Sequence, residues 1–139
     1  MIRVVGAVLN DKHYVILAKR AYNSRNFPNL FEFPGGKIEH NETSQEALIR
    51  ELNEELNIIV NKKDIYAFEG NQHSHTIEKS GKVIHLTLFI VKKWKGSIQI
   101  KENIHDEIAY INITKLHTFK GLIPGDETSV PAIQNYFNL

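Results

Sequence analysis

Apolar residues along this chain recur with the two periods that separate strands from helices. Short runs rich in β-branched and aliphatic residues, bounded by polar residues, proline or glycine, are typical of strands. The polar triplet Asn10-Asp11-Lys12 lies between the first two runs and indicates a hairpin. The predicted strands cover residues 2–9, 14–18, 30–33, 65–72, 83–91 and 108–113, with a short edge strand at Ile98 and Ile100. A loop is predicted over 21–29, and a polar loop or hairpin tip over 71–82.

One segment carries helix signals at both of its ends. Thr43 and Glu46 have the spacing of a capping box, and Asn57 is a residue type that accepts the left-handed conformation of a helix C-terminus. We therefore predict a helix over residues 44–56. Its apolar stripe, which would pack on a sheet, consists of Leu48, Ile49, Leu52 and Leu56.

The remaining elements complete an α/β pattern. Pro34-Gly35-Gly36 is expected to stop the strand before it with a glycine turn. Residues 130–137 suit a terminal helix, because Pro131 would fall in its first turn. Strands mixed with two helices, and no repeat or linker, indicate one layered α/β domain over residues 1–139.

Composition narrows the class of protein. A chain of 139 residues with 42% apolar content can bury roughly two thirds of its unfolded surface. The formal net charge of +1 gives no global field for a nucleic-acid polymer or a membrane surface. The chain has no cysteine, and its N-terminal apolar run is too short for a signal peptide, so we expect a cytoplasmic protein.

The predicted helix gathers carboxylates on one face. Glu51, Glu54 and Glu55 have helical spacing, and Glu42 lies just before the helix. Like charges 5 Å apart repel by roughly 3 kcal/mol at an effective dielectric near 20, so such a cluster needs protons, cations or metal ions. Oxygen ligands suit Mg²⁺ or Mn²⁺. The alternative is a solvated helix face, on which Arg50 pairs with acids four residues away.

The spacing of these residues matches a known signature, G-x5-E-x7-R-E-U-x-E-E-x-G-U, in which U is aliphatic. The chain departs from it only at Asn57, where the signature has glycine, and the run from Phe33 to Glu39 is similar to the MutT-like subgroup. The chain therefore resembles the Nudix hydrolases over its whole length. The matching positions are Gly36, Glu42, Arg50, Glu51, Leu52, Glu54, Glu55 and Ile58.

The resemblance implies a Nudix-type α/β/α sandwich with a mixed β-sheet and a site for Mg²⁺ or Mn²⁺. By the same resemblance, Glu51, Glu54 and Glu55 would be metal ligands, with the Gly35 carbonyl as a further ligand. Arg50 would orient these acids by salt bridging, and Glu42 would brace the loop against the helix.

A later carboxylate is expected to act as the general base that takes a proton from water. The candidates are Glu102 and Glu107. Glu102 is preferred, because its distance from Trp94-Lys95-Gly96 resembles that of a late metal ligand and base in MutT-like proteins. The alternative for both residues is a solvated loop.

Three further positions are candidates for binding the substrate. Arg20 resembles a residue that MutT-like enzymes place on nucleotide phosphates, and Lys37 beside the glycines would steer phosphate, although either residue is equally a surface cation. Asp126 resembles the residue placed against the base edge. An ionised aspartate only accepts hydrogen bonds, so it would suit cytosine-type bases better than 8-oxoguanine.

The sequence thus predicts a nucleoside triphosphate pyrophosphohydrolase that releases a nucleoside monophosphate and pyrophosphate and acts on damaged or non-standard nucleotides, as an 8-oxo-dGTP diphosphatase does. The enzymatic alternatives are hydrolysis of ADP-ribose or of dinucleoside polyphosphates. An alternative of another class is a catalytically silent nucleotide-binding domain. We expect a monomer or homodimer whose partner is a nucleotide substrate.

Overall fold

Eight strands and three α-helices make up the computed structural model, which describes residues 1–139. The strands are β1 Ile2–Asp11, β2 Tyr14–Arg20, β3 Phe31–Glu32, β4 Gly35–Lys37, β5 Ile65–Tyr66, β6 Gln72–Thr76, β7 Val83–Val91 and β8 His105–Asn112. The helices are α1 Ser44–Leu56, α2 Pro124–Thr128 and α3 Val130–Tyr136, with short 3-10 helices at Lys62–Asp64 and Ile113–Thr118.

The strands form one mixed sheet. β1 runs parallel to β7 over eight residue pairs, from Ile2 opposite Ile84 to Leu9 opposite Val91. All other pairings are antiparallel, including the predicted β1–β2 hairpin and the long β2–β8 pairing. The main path through the sheet is β3-β2-β1-β7-β5.

Helices cover both faces of this sheet. Alternate side chains of β1 point to opposite faces and therefore pack in two different cores. Val5, Ala7 and Leu9 pack in the core beneath α1. Val8 packs in a second core that contains Val130 and Ile133 of α3. This arrangement confirms the predicted α/β sandwich with a mixed sheet.

Helix α1 has the predicted ends. The Thr43 Oγ1 accepts a hydrogen bond from the Glu46 amide at 3.1 Å, and the Glu46 Oε1 accepts one from the Thr43 amide at 2.9 Å. At the other end Asn57 has φ of 59° and donates its amide N–H to the Asn53 carbonyl. A cap of this kind stabilises a helix by about 1 kcal/mol, so local sequence alone fixes where α1 begins and ends.

The predicted glycine turn is wrong. Gly35 and Gly36 lie in β4 and pair with β1, and neither residue has a positive φ. Glycine is needed here for close approach, because a Cβ on Gly35 would collide with the Val5 carbonyl oxygen. The two glycines therefore let β4 press against its neighbours and do not reverse the chain.

Three further predictions from the apolar pattern are wrong. The strand predicted over 65–72 is reduced to β5 and the first residue of β6, and β6 occupies residues 72–76 of the segment predicted over 71–82, which leaves 77–82 as the tip between β6 and β7. Residues 98–100 form no strand. Instead, Ile98 packs against the α1 core and the Gln99 amide donates to the Leu56 carbonyl. No helix of the structure is long and apolar enough to cross a membrane.

Candidate functional site

Arg50 lies at the centre of the carboxylates carried by α1 and the loop before it. Its guanidinium binds Glu42 with two hydrogen bonds, from Nε to Oε2 at 2.7 Å and from Nη2 to Oε1 at 2.9 Å. Its Nη1 donates to Glu51 Oε1 at 2.9 Å and to Glu54 Oε2 at 3.3 Å. We call this group, with the adjacent Glu55, the α1 acid cluster.

The loop before α1 is fixed by the same contacts. Glu42 Oε1 accepts a hydrogen bond from the Glu39 amide at 2.9 Å, and Arg50 Nη2 donates to the Lys37 carbonyl at 3.0 Å. The hydrogen bonds from Arg50 and from the Glu39 amide lower the pKa of Glu42 to about 2. Glu42 therefore stays ionised at every pH at which the protein would work.

Glu55 lies on the buried side of this cluster. Burial raises its pKa to about 8, and the charges of Glu32 and Glu51 add to the shift. Its Oε1 is buried and has no hydrogen-bond partner. Burial also raises the pKa of Glu51, against the opposing effect of Arg50. An unpartnered buried carboxylate oxygen is costly unless a proton or a cation satisfies it.

Strand β4 lines the cluster on the sheet side. A Cβ on Gly36 would collide with the Glu51 carboxylate, so only glycine allows the strand and the helix to approach this closely. The glycines that the sequence placed in a turn therefore shape one wall of the site.

The residues fit a divalent cation by their chemistry. The predicted side-chain ligands are all carboxylates, the hard oxygen donors that Mg²⁺ and Mn²⁺ prefer, and the buried Glu55 Oε1 lacks a partner. No three His, Asp or Glu side chains converge closely enough in this structure to hold a metal ion. Arg50 accounts for part of this, because it occupies Glu51 and Glu54.

A second group lies where β2, β3 and β8 meet. Glu32 Oε1 accepts a hydrogen bond from Arg20 Nη1 at 2.8 Å, and its Oε2 lies 2.8 Å from His105 Nε2. We call these three residues the Glu32 cluster. Neither Glu32 nor His105 was predicted from the sequence. The alternation of β3 carried no sign that its one acidic residue is nearly buried, with only 13% of its side chain exposed.

The structure places Asp126 in a buried position in the first turn of α2. Its Oδ2 accepts a hydrogen bond from the Phe33 amide at 2.8 Å. Burial raises its pKa to about 8, and the charge of Glu32 adds to the shift. This raised pKa favours a protonated carboxyl near neutral pH, which both donates and accepts hydrogen bonds, so Asp126 does not by itself select cytosine-type bases.

The other candidates lie on exposed parts of the chain. Lys37 is exposed at the end of β4, and Glu102 is exposed in the turn before β8. Glu107 lies on β8, where it pairs with Lys19 at 3.8 Å. The structure thus joins Arg50 to Glu42, Glu51 and Glu54 by hydrogen bonds, and no hydrogen bond or ion pair links Glu102 or Glu107 to them.

The Glu102 turn is held against the loop after β2. The Asn23 side-chain amide donates to Asn103 Oδ1 at 2.9 Å, and the Ala21 amide donates to the Ile104 carbonyl at 3.1 Å. The Tyr22 amide donates to Asp106 Oδ2 at 2.9 Å. These contacts link the turn to the end of β2, which carries Arg20.

Comparison with known proteins gives a consistent result. Residues 1–133 match the family model described as NUDIX domain. The chain is 38% identical over 103 residues to the CTP pyrophosphohydrolase of Escherichia coli (strain K12), covering 74% of this chain and 71% of that protein. It is 35% identical over 104 residues to the 8-oxo-dGTP diphosphatase of Proteus vulgaris, covering 73% and 85%.

Solved structures agree with these matches. The solution structure of the E. coli ORF135 protein superposes with a TM-score of 0.82 at 30% identity, covering 99% of this chain and 91% of that one. The crystal structure of a MutT NUDIX hydrolase from Burkholderia pseudomallei gives a TM-score of 0.80 at 17% identity, covering 94% and 96%, which shows the same fold.

Proposed function

The chain belongs to the Nudix family, and from this premise we propose that it is a MutT-like nucleoside triphosphate pyrophosphohydrolase. The observation that carries the proposal is the α1 acid cluster. One guanidinium there organises three carboxylates beside a fourth, Glu55, whose buried oxygen has no partner. The named relatives act on CTP and on 8-oxo-dGTP, both of which are nucleoside triphosphates.

We propose that Glu51, Glu54, Glu55, Glu102 and the Gly35 carbonyl hold Mg²⁺ or Mn²⁺. When bound, the metal supplies positive charge that neutralises the phosphate oxygens of the substrate. Arg50 keeps the Glu51 and Glu54 carboxylates in fixed orientations, and its two hydrogen bonds to Glu42 fix the guanidinium itself. Glu42 also braces the loop before α1, because it accepts a hydrogen bond from the Glu39 amide.

The reaction proceeds by attack of water on the β phosphorus. The water oxygen forms a bond to that phosphorus, and the bond from it to the oxygen bridging to the α phosphate breaks. Glu102 takes the proton from the water as general base, and the products are a nucleoside monophosphate and pyrophosphate. Arg20 and Lys37 bind the phosphates, and Asp126 contacts the base.

Damaged or non-standard nucleotides are the substrates that we propose. Because the pKa of Asp126 is raised to about 8, its carboxyl is able to donate as well as accept, which removes the objection to an oxidised purine. We further propose that residues 1–139 form one domain, which works in the cytoplasm as a monomer or homodimer.

A nucleotide panel tests the proposal. The protein is incubated with canonical and oxidised nucleoside triphosphates, ADP-ribose and a dinucleoside polyphosphate, with and without Mg²⁺, and pyrophosphate and monophosphate are measured. We expect Mg²⁺-dependent release of pyrophosphate from a triphosphate. Turnover of ADP-ribose alone would redirect the substrate assignment, and binding of nucleotide with no turnover of any compound would favour a silent domain.

A further inference from the structure

A bulge in β8 determines which face of the sheet His105 occupies. Lys19 of β2 pairs with Glu107, but the next residue, Arg20, pairs with His105, so Asp106 is an extra residue in β8. Ile108 packs in the core beneath α1. Strict alternation from Ile108 would turn His105 to the opposite face, and the extra residue restores it to the α1 face.

That face is where His105 meets Glu32. Ala18 of β2 pairs with both Glu32 and Ile108, which places the Glu32 side chain on the side of the sheet covered by α1. The His105 side chain is completely buried there, and its Nε2 donates to Glu32 Oε2 at 2.8 Å. Its other ring nitrogen, Nδ1, is buried without a partner. The hydrogen bond to Glu32 is therefore the single polar interaction of the buried His105 side chain.

The contact limits how Glu32 binds Arg20. A carboxylate and a guanidinium pair most strongly through two parallel hydrogen bonds. Here His105 takes one Glu32 oxygen, so Arg20 Nη1 binds the other alone. Arg20 Nε donates to the Asn26 carbonyl at 2.8 Å. Neither hydrogen bond uses the Nη2 group, and the Arg20 side chain is 26% exposed.

We propose that His105 is a positioning residue for nucleotide binding: by occupying Glu32 Oε2 it prevents a two-fold pairing of Glu32 with Arg20 and keeps Arg20 Nη2 available to a substrate phosphate. The inference rests on the proposed function, in which Arg20 binds phosphate. Without His105, both Glu32 oxygens turn to the guanidinium and withdraw it from the substrate.

Steady-state kinetics with the triphosphate turned over by the wild type tests this role. We expect His105→Leu to raise KM about tenfold with kcat changed less than about threefold, because binding is weakened and the chemical step is untouched. His105→Gln restores a donor near the Nε2 position and should recover most of the KM. The matched control is His117→Leu, since His117 is an exposed histidine that contacts Gln134 on the opposite face. Its KM should equal that of the wild type.

A second measurement does not depend on activity. The Arg20 Nε and Nη resonances of nitrogen-labelled protein should shift in His105→Leu, return in His105→Gln and stay unchanged in His117→Leu. Glu32→Gln keeps the shape of Glu32. In a protein that already carries Glu32→Gln, His105→Leu should no longer shift the Arg20 resonances. Thermal unfolding of each variant verifies that it is folded, and if His105→Leu does not fold, His105→Asn replaces it.

The outcomes separate the inference from the proposed function. Absence of wild-type turnover would overturn the proposed function, while the Arg20 resonances would still decide the positioning role. The inference is wrong if the wild type is active and Arg20→Ala raises KM while His105→Leu leaves KM unchanged. Unchanged Arg20 resonances in His105→Leu would overturn it whatever the kinetics.

Discussion

The α1 acid cluster and the Glu32 cluster balance charge in opposite ways. In the first, one guanidinium binds three carboxylates beside a fourth carboxyl group, so negative charge is in excess and Glu55 keeps an unpartnered oxygen. In the second, one carboxylate is shared by two donors and each of its oxygens is used. A site with excess charge is suited to bind a cation, whereas a balanced site is suited to hold its members in place.

The two clusters also differ in their distance along the chain. The residues of the first lie within 14 positions and are assembled by a single helix and the loop before it. Those of the second come from three strands, with His105 lying 73 residues after Glu32. The difference teaches that a cluster assembled by one helix is visible as a motif in the sequence, whereas a cluster assembled by three strands, such as the one that holds Arg20, is not.

The largest effect is expected from removing one charge of the α1 acid cluster. We expect Glu54→Gln to lower kcat by about a thousandfold or more, in line with the loss of a transition-state interaction that involves metal-held charge. The Glu54 side chain is 58% exposed, so the melting temperature should change little. The measurement is pyrophosphate release together with thermal unfolding.

The control is the same substitution in the same helix. Glu46→Gln preserves the capping interaction with Thr43 and touches none of the cluster, so its activity should be that of the wild type. Full turnover by Glu54→Gln would contradict the metal role of Glu54. It would also remove the reason for assigning cation binding to the α1 acid cluster.

A smaller effect is expected from changing the organiser of that cluster. Arg50→Lys keeps the positive charge but loses the two-fold hydrogen bonding to Glu42, so we expect kcat to fall about a hundredfold with KM nearly unchanged. Kinetics of both parameters verify this. Arg3→Lys, an exposed arginine on β1, is the control, and an equal fall in both variants would show that the effect is not specific to the cluster.

Removing the proposed general base, Glu102, should lower kcat by less than either of these changes. Glu102 belongs to neither cluster. Glu102→Gln should lower kcat about thirtyfold at neutral pH, somewhat less than the roughly hundredfold or more that general-base catalysis usually contributes, while Glu107→Gln should lower it less than about threefold. Glu107 already pairs with Lys19 on the surface. A larger fall for Glu107→Gln would reverse the assignment.

The elements of the fold differ in how well the sequence predicts them. Helix α1 could be predicted to the residue, because a capping box and a left-handed Asn57 are encoded within a few positions. Strand β6 could not, because its residues, Gln72 to Thr76, are polar and the strand is held by β7 rather than by its own apolar pattern. The shortening of β5 and the irregular run 98–100 are likewise decided by packing partners.

The site divides in the same manner. The contact of Arg50 with Glu54 followed from helical spacing, whereas the use of Gly35 and Gly36 for close approach required the position of β1. Glu32 and His105 gave no signal, since neither forms a motif and their contact depends on a bulge. The burial of Asp126 was also hidden, because it results from the packing of α2 over Phe33.

The last prediction is about stability and concerns Asp126, a buried carboxyl whose pKa is affected by the charge of Glu32. Its pKa is about 8 in the folded protein and 3.8 ordinarily. Between these values the folded state holds a proton that the unfolded chain has lost, so this carboxyl lowers stability progressively as the pH rises from about 4 to about 8. Below that window its contribution to stability is fully present, and above it the loss is complete.

Asp126→Asn keeps an acceptor for the Phe33 amide but does not titrate. The melting temperature of the variant relative to the wild type should therefore rise by about 10 °C or more between pH 4 and pH 8. All other groups are common to both proteins, so the difference isolates this carboxyl. A difference that is constant with pH would show that Asp126 is ionised in the folded protein.

The bulge at Asp106 makes the site sensitive to chain length in steps of one. Because side chains alternate along a strand, deleting this residue would not merely shorten β8 but would turn His105 to the opposite face of the sheet. Among descendants of this chain, insertions between His105 and Glu107 that come in pairs would keep His105 facing Glu32. Single ones would have to be matched by a compensating change nearby, so length variation here should show an even–odd rule.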